Sequence, residues 1–333
     1  MSALATERRA GVAIASGADY AECHRVMRKA SRNYSFASLV LPRNRRHHVE
    51  ALYALLRVGD DRVDVSHRGF VSPLAAIEDW EAKYFRAFET GDSSHPVMRA
   101  YLNTALERGI PQETMKPYFR AMKDDLTVTR YATCEDLLHY VEGSAIPVGR
   151  AMTYILGVRR PHSSADAIPH ADSLSIAMQL SNFWRDVGED WQRGRVYIPQ
   201  EDLKRFEVTE AEIAYGRVSP RFAALLEFEI ERTEQYYDHA FRGIKMLASG
   251  QWSVMCSWRV YRAILDGIRR QGYDVFAHRA RANTWQKLWH LTKAWWDTSV
   301  TLPRMVGRRN ELFRCTGSLH RAASRGPDSS DRE

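Results

Sequence analysis

The chain has 333 residues, 44% of them hydrophobic and 11% aromatic, with a formal net charge of +7. That is enough apolar material for one large core or two of average size, and a charge balance that admits a polyanionic small substrate, an anionic membrane surface or nucleic acid. No apolar run approaches 18 residues, so no membrane-spanning helix is expected, and there is no P-loop, Gly-x-Gly-x-x-Gly, His-Glu-x-x-His, paired Glu-x-x-His or internal repeat.

Cys23, Cys134, Cys256 and Cys315 are scattered without Cys-x-x-Cys spacing, so they read as free thiols of a cytoplasmic protein rather than as zinc ligands or a disulfide framework. Residues 1–17 read as disordered, and a first helix follows from Ala18 to about Ser31. The cluster Ser31, Arg32, Asn33 and Tyr34 reads as loop chemistry ahead of Pro42. A second helix starts near Asn44, a suitable N-cap. Its apolar stripe is Val49, Leu52, Tyr53 and Leu56, and the same 3.6-residue period continues to Asp60 and Asp64.

Helix signals dominate beyond this point. Ser72-Pro73 opens a helix that Gly91 closes; Pro96 precedes another that stops at Gly109, and Pro111 opens a third. Thr133 and Asp136 form a capping-box pattern ahead of a helix that Gly143 and Pro147 should make irregular in its middle. Gln179, Asn182, Asp186 and Asp190 then fall at i, i+3, i+7 and i+11, one stripe of a single helix. Their neighbours on the wheel are Ile176, Leu180, Phe183 and Val187, so the carboxylates lie beside the apolar face, not opposite it. The segment containing Arg195, Tyr197 and Pro199 reads as a connection. Thr209 with Glu212, and Ser219 with Pro220, start further helices, the second running to near Gly250; Gly272 closes the next, and a last helix spans the Trp-rich stretch from Thr284. Strand-type alternation is scarce, so the expected architecture is an all-α bundle in a single domain over 18–302, with a flexible basic tail over 303–333. The histidines read as surface or helix positions without assigned roles.

A single i, i+4 carboxylate pair is ordinarily a solvated helix face. Two such pairs, each in phase with an apolar stripe, instead suit two opposed walls of one cavity. Burying aspartates without counter-charge costs on the order of several kcal/mol each, so a cation is expected between them, a hard divalent ion foremost.

The two aspartate motifs in this order, with Tyr53 and Arg57 leading into DDRVD and NFWRDVGED followed by GRVYIP, resemble the squalene and phytoene synthase family over roughly residues 18–290. The resemblance implies the isoprenoid-synthase helical bundle with a central cavity, and head-to-head condensation of two prenyl diphosphates through a cyclopropylcarbinyl diphosphate. At matching positions it implies Asp60, Asp64, Asp186 and Asp190 as ligands of Mg²⁺ or Mn²⁺, with Arg57, Arg185 and Asn182 supporting metal and diphosphate. It further implies Gln179, Tyr53, Tyr140 and Tyr273 as polar and aromatic lining, and Ser31, Arg32 and Tyr34 as the segment near the diphosphates. Asn33 stands where many members have Ser, and Pro147 with Arg150 interrupts a small-residue run that others often write Val-Ala-Gly. The Gly-Ser-Ala form of that segment resembles bacterial phytoene synthases, which points to two geranylgeranyl diphosphates as substrates. The alternative is a C15-using relative that makes squalene or dehydrosqualene, with NADPH required only for squalene.

A non-catalytic scaffold of the same fold would have lost at least one of the four aspartates, and all are present. Nucleic acid is not expected, because the basic residues are spread through acidic helices rather than gathered on one face. Trp285, Trp289 and Trp296 share one helical face beside Lys and Arg residues, so this C-terminal segment is a candidate for peripheral docking on anionic lipid, with packing on the bundle core as the competing reading.

Overall fold

The computed structural model describes residues 15–30, 41, 43–64 and 69–277. The expectations for Ser31, Arg32 and Tyr34, for Cys315, for the Trp-bearing segment and for the basic tail fall outside these residues.

Among the described residues the chain is helical, with two isolated bridges, Arg130 to Val196 and Val158 to Leu247, and no strand. The helices are α1 Gly17–Ala30, α2 Arg43–Asp64, α3 Pro73–Thr90, α4 Pro96–Arg108, α5 Lys116–Asp124, α6 Cys134–Ser144, α7 Ile146–Leu156, α8 Ser164–Arg185, α9 Val187–Gln192, α10 Gln200–Arg205, α11 Glu210–Tyr215, α12 Pro220–Ile244 and α13 Gln251–Arg270. Side chains and glycines punctuate them as the sequence leads one to expect. The Ser72 hydroxyl accepts from the Ala75 N–H at 3.1 Å, and Gly91, at φ 77°, closes α3 in the left-handed conformation that glycine adopts without a Cβ penalty. Thr133 with Asp136 and Thr209 with Glu212 form reciprocal capping boxes.

Two expected continuous helices are broken. The one around Gly143 divides at Ala145, two residues before Pro147, which cannot donate and so sits in the first turn of α7. The stripe from Gln179 to Asp190 is not carried by one helix: α8 ends at Arg185, Asp186 turns at φ −102°, ψ 14°, and Asp190 belongs to the short α9.

The helices bury two main cores and a small third cluster of Leu41, Leu156 and Leu247. Leu52, Leu55, Trp80, Tyr84, Tyr101 and Phe119 anchor the first, which draws on α1 to α5 and on Ala151 and Ile155 of α7. Leu180, Trp184, Leu225, Ile230, Tyr237 and Leu265 anchor the second, built mainly from α6, α8, α12 and α13. Helix α8 packs along α12, α7 and α13, while α2 packs on α1, α3, α4 and α7. Helix α7 touches both α2 and α8, and residues of all three line a space between the cores.

Candidate active site

That space is a cavity of about 620 Å³. Its mouth carries Arg57 and Asp60 from α2, Gln179 and Asn182 from α8, Tyr140 from α6, and Asp125 and Arg195 from the connections. Deeper in, the lining turns apolar with Met27, Leu41, Val49, Leu52, Met152, Leu156, Leu174 and Leu247. The carboxylates and guanidinia of the lining, Arg57, Asp60, Asp125 and Arg195, are thus set in a wall that is otherwise mostly apolar, with a few hydroxyls and His170, a lining that suits a molecule with a charged head and a long apolar tail.

On the α2 wall, Asp60 is held from behind. The Tyr118 hydroxyl lies 2.8 Å from the Leu56 carbonyl and 3.2 Å from Asp60 Oδ1. Gly59 makes this approach feasible, since a Cβ there would overlap the Tyr118 hydroxyl. Arg57 pairs with Asp61 at 2.5 Å, one turn along the helix. Asp64 lies in the last turn of α2.

On the α8 wall, Arg185 grips Asp186 with both arms of its guanidinium, Nε to Oδ1 at 2.7 Å and Nη2 to Oδ2. Asp190 makes no side-chain hydrogen bond among the described residues. Burial, and then the charge of Asp186, push its carboxyl up to about 6 against the pull of Arg193 and Arg195. The three aspartates with described side chains do not bring oxygens within 4.8 Å of one another as a trio; among the described residues only His47, His48 and Glu107 cluster that closely. An all-oxygen donor set split between two walls fits a hard divalent ion that keeps waters and bridges carboxylates to phosphate, rather than an all-protein cage.

Tyr53, Arg57, Asp60, Tyr140, Gln179 and Asn182 therefore line one cavity, while Arg185, Asp186 and Asp190 lie where α8 gives way to α9, one turn beyond Asn182 and further. Tyr273 is not among the described lining residues: it stands at φ 64°, beyond the end of α13, and its hydroxyl donates to Glu227 Oε2 of α12 at 2.9 Å. Glu227 is in turn bound by Arg269, so Tyr273 belongs to an ion-pair cluster between α12 and α13.

Two residues of the mouth escaped sequence reasoning. Arg195 Nη2 donates to the Asp125 carbonyl at 2.9 Å and Nη1 to the Tyr197 hydroxyl at 3.1 Å, with Asp125 Oδ1 at 3.4 Å. Tyr197 stacks on Phe183 at 3.9 Å and on Tyr140 at 5.9 Å, tying the connection to the aromatic side of the cavity. The signal was an arginine and an aromatic close behind an aspartate pair, in a segment read as a connection and counted in the family resemblance, with no role given to either residue. His48 and His170 are helix positions, as the sequence reading has them: His48 of α2 is buried, its Nδ1 3.0 Å from the Thr104 hydroxyl, and His170 of α8 lines the cavity.

An all-helical body with a carboxylate-rimmed apolar tunnel has the isoprenoid-synthase fold. Solved structures agree: the chain resembles a dehydrosqualene synthase bound to a ligand with a TM-score of 0.76 at 26% identity, covering 84% of this chain and 96% of that one. It also resembles a squalene synthase from Alicyclobacillus acidocaldarius with a TM-score of 0.70 at 30% identity, covering 77% and 95%. Residues 27–286 match the squalene/phytoene synthase family, and the chain belongs to that family. Among curated relatives it is 32% identical to the 15-cis-phytoene synthase of Synechococcus elongatus over 284 residues, 83% of this chain and 92% of the relative. It is 31% identical to the chloroplastic phytoene synthase of Daucus carota over 280 residues, 83% of this chain and 70% of the relative.

Proposed function

We propose that this protein joins two geranylgeranyl diphosphates head to head, through a cyclopropylcarbinyl diphosphate, to give phytoene. The observation that carries the reading is the likeness to 15-cis-phytoene synthases across most of both chains, supported by the shape of the tunnel. Its α8 lining runs from Asn182 to Ala167, fifteen residues or about 22 Å along the axis. An extended polyprenyl main chain advances about 1.2 Å per bond, so a C20 chain of about 18 Å fits whole.

Asp60, Asp64, Asp186 and Asp190 would hold Mg²⁺, or Mn²⁺ in its place, and the bound ion supplies positive charge that stabilises departing diphosphate. Arg57 and Asn182 at the mouth, with Arg185 at the end of α8 beyond them, orient the diphosphate, and Ser31, Arg32 and Tyr34 join them by resemblance. Tyr53 and Tyr140 offer aromatic faces to the allylic cation, at about 0.5–2 kcal/mol each. Met, Leu and Val side chains behind them keep water from quenching it. Arg195, pinned by Asp125 and Tyr197, adds a further guanidinium at the rim. After the second ionisation and rearrangement, proton loss gives the central double bond.

Two features support a runner-up reading, condensation of two farnesyl diphosphates: the structural likeness to the dehydrosqualene and squalene synthases, and a tunnel that also admits a C15 chain. Incubating the purified protein with Mg²⁺ and each diphosphate, with and without NADPH, and identifying the hydrocarbon separates them. C40 phytoene from the C20 substrate without NADPH is expected; C30 product alone would overturn the proposal.

A further inference from the structure

On α8, twelve residues before Asn182, His170 is among the residues that line the tunnel. Nothing in the reaction at the mouth calls for an imidazole there, and three contacts fix it in place. Its Nδ1 donates to the His239 carbonyl at 2.8 Å, and its ring lies 4.3 Å from the His239 ring. On the side of α12 it meets Gly243, where a Cβ would overlap the His170 Cβ, so the two helices touch and the histidine has no room to retreat.

Its distance from the mouth is informative. Helix α8 is continuous from Ser164 to Arg185, and His170 lies twelve residues from Asn182, about 18 Å along the axis. At about 1.2 Å per bond an extended C20 main chain reaches about 18 Å, a C15 chain about 13 Å and a C25 chain about 23 Å. A C20 tail with its diphosphate at Asn182 thus ends against the histidine, a C15 tail ends near Leu174, and a C25 tail overruns it.

We propose that His170, backed by Gly243 and tethered to the His239 carbonyl, is the chain-length stop of the tunnel. This inference rests on the proposed prenyl diphosphate chemistry and adds to it the residue that measures the tail. A rigid ring discriminates better than a flexible aliphatic side chain, because it cannot repack to admit an overlong substrate. In an apolar pocket, a misfit of one or a few carbons is worth roughly a 10- to 200-fold difference in kcat/KM.

The test measures kcat/KM for C15, C20 and C25 diphosphates with Mg²⁺ on the wild type, His170→Ala and His170→Trp. Because each ratio is internal to one preparation, a partly unfolded variant does not distort it. His170→Ala is expected to raise the C25:C20 ratio at least tenfold, and His170→Trp to lower the C20:C15 ratio at least tenfold. A wild type that condenses C20, with both ratios unchanged within about threefold in the variants, would overturn the inference and leave the proposed function intact. A wild type that condenses only C15 would overturn both, and the wild-type arm alone reveals it.

Discussion

The two carboxylate walls are built on different principles. On α2 the helix runs unbroken through Asp60 to Asp64, and Asp60 is steadied from the N-terminal core by the Tyr118 hydroxyl. On the other side α8 stops, Asp186 occupies the turn, and Asp190 starts again in α9. Asp186 is locally compensated by Arg185, whereas the Asp190 carboxyl is held high by burial and by its neighbour's charge. The first wall is thus a pre-set scaffold, and the second holds one carboxylate whose ionisation the metal-free fold resists. A site of this kind stores part of its cost where a cation would relieve it.

The largest expected effect comes from breaking the second wall. Asp186→Asn or Asp190→Asn should lower turnover by about 10²- to 10³-fold or more, because positive charge is no longer held where the diphosphate departs; steady-state kinetics with saturating Mg²⁺ checks this. Turnover within threefold of wild type would make that wall structural.

Breaking the first wall acts through packing. Gly59→Ala forces a methyl group into the space of the Tyr118 hydroxyl and should cost about 1–3 kcal/mol in urea unfolding, with activity falling as Asp60 loses its support. Shortening Tyr118 as well, in a Gly59→Ala/Tyr118→Phe double variant, should recover part of the stability and none of the hydrogen bond.

The comparison sharpens with pH. A carboxyl whose folded value is raised binds its proton more tightly in the folded than in the unfolded chain, so between about pH 4 and 6 the contribution of Asp190 to the stability of the metal-free protein should fall as pH rises, against the opposite contribution of ion-paired carboxylates such as Asp19. Asp190→Asn should remove that contribution, so that its stability relative to wild type grows from pH 4 to 6 and reaches about 1–2 kcal/mol at pH 7, a figure reduced for partial solvent exposure. Urea midpoints across pH 4–7 in chelator test it, and a pH dependence in the variant identical to that of wild type would rule that contribution out. The smallest effect is expected at Arg150, whose Nε and Nη2 bind Asp172 at 2.9 and 2.8 Å between α7 and α8. The guanidinium is 43% exposed, so Arg150→Ala should cost less than about 1 kcal/mol and leave the mouth unchanged.

Much of this fold was legible because helix ends are written locally. Ser72, Thr133, Thr209 and Ser219 each cap the helix their spacing announces. Periodicity also placed Asp60, Gln179 and Asn182 beside apolar stripes. It could not reveal the turn at Asp186, because one non-helical residue barely disturbs a stripe counted over eleven positions. Arg195 and Asp125 were invisible for another reason: they lie outside long helices, and only the folded chain brings residues 70 positions apart to one rim. Tyr273 entered through the family resemblance alone, because an aromatic beside glycine says nothing about which side of the bundle it faces. His170 carried no signal at all; its role comes from a glycine more than 70 residues away.

Joint action of the two walls on one diphosphate is the central claim, and Mg²⁺-dependent binding of a non-ionisable C20 thiodiphosphate measures it without turnover. Wild type should bind it only with Mg²⁺, and Asp60→Asn and Asp190→Asn should each weaken that binding at least tenfold. Wild-type affinity in Asp60→Asn, with loss confined to Asp190→Asn, would contradict the account by showing that the α2 wall takes no part.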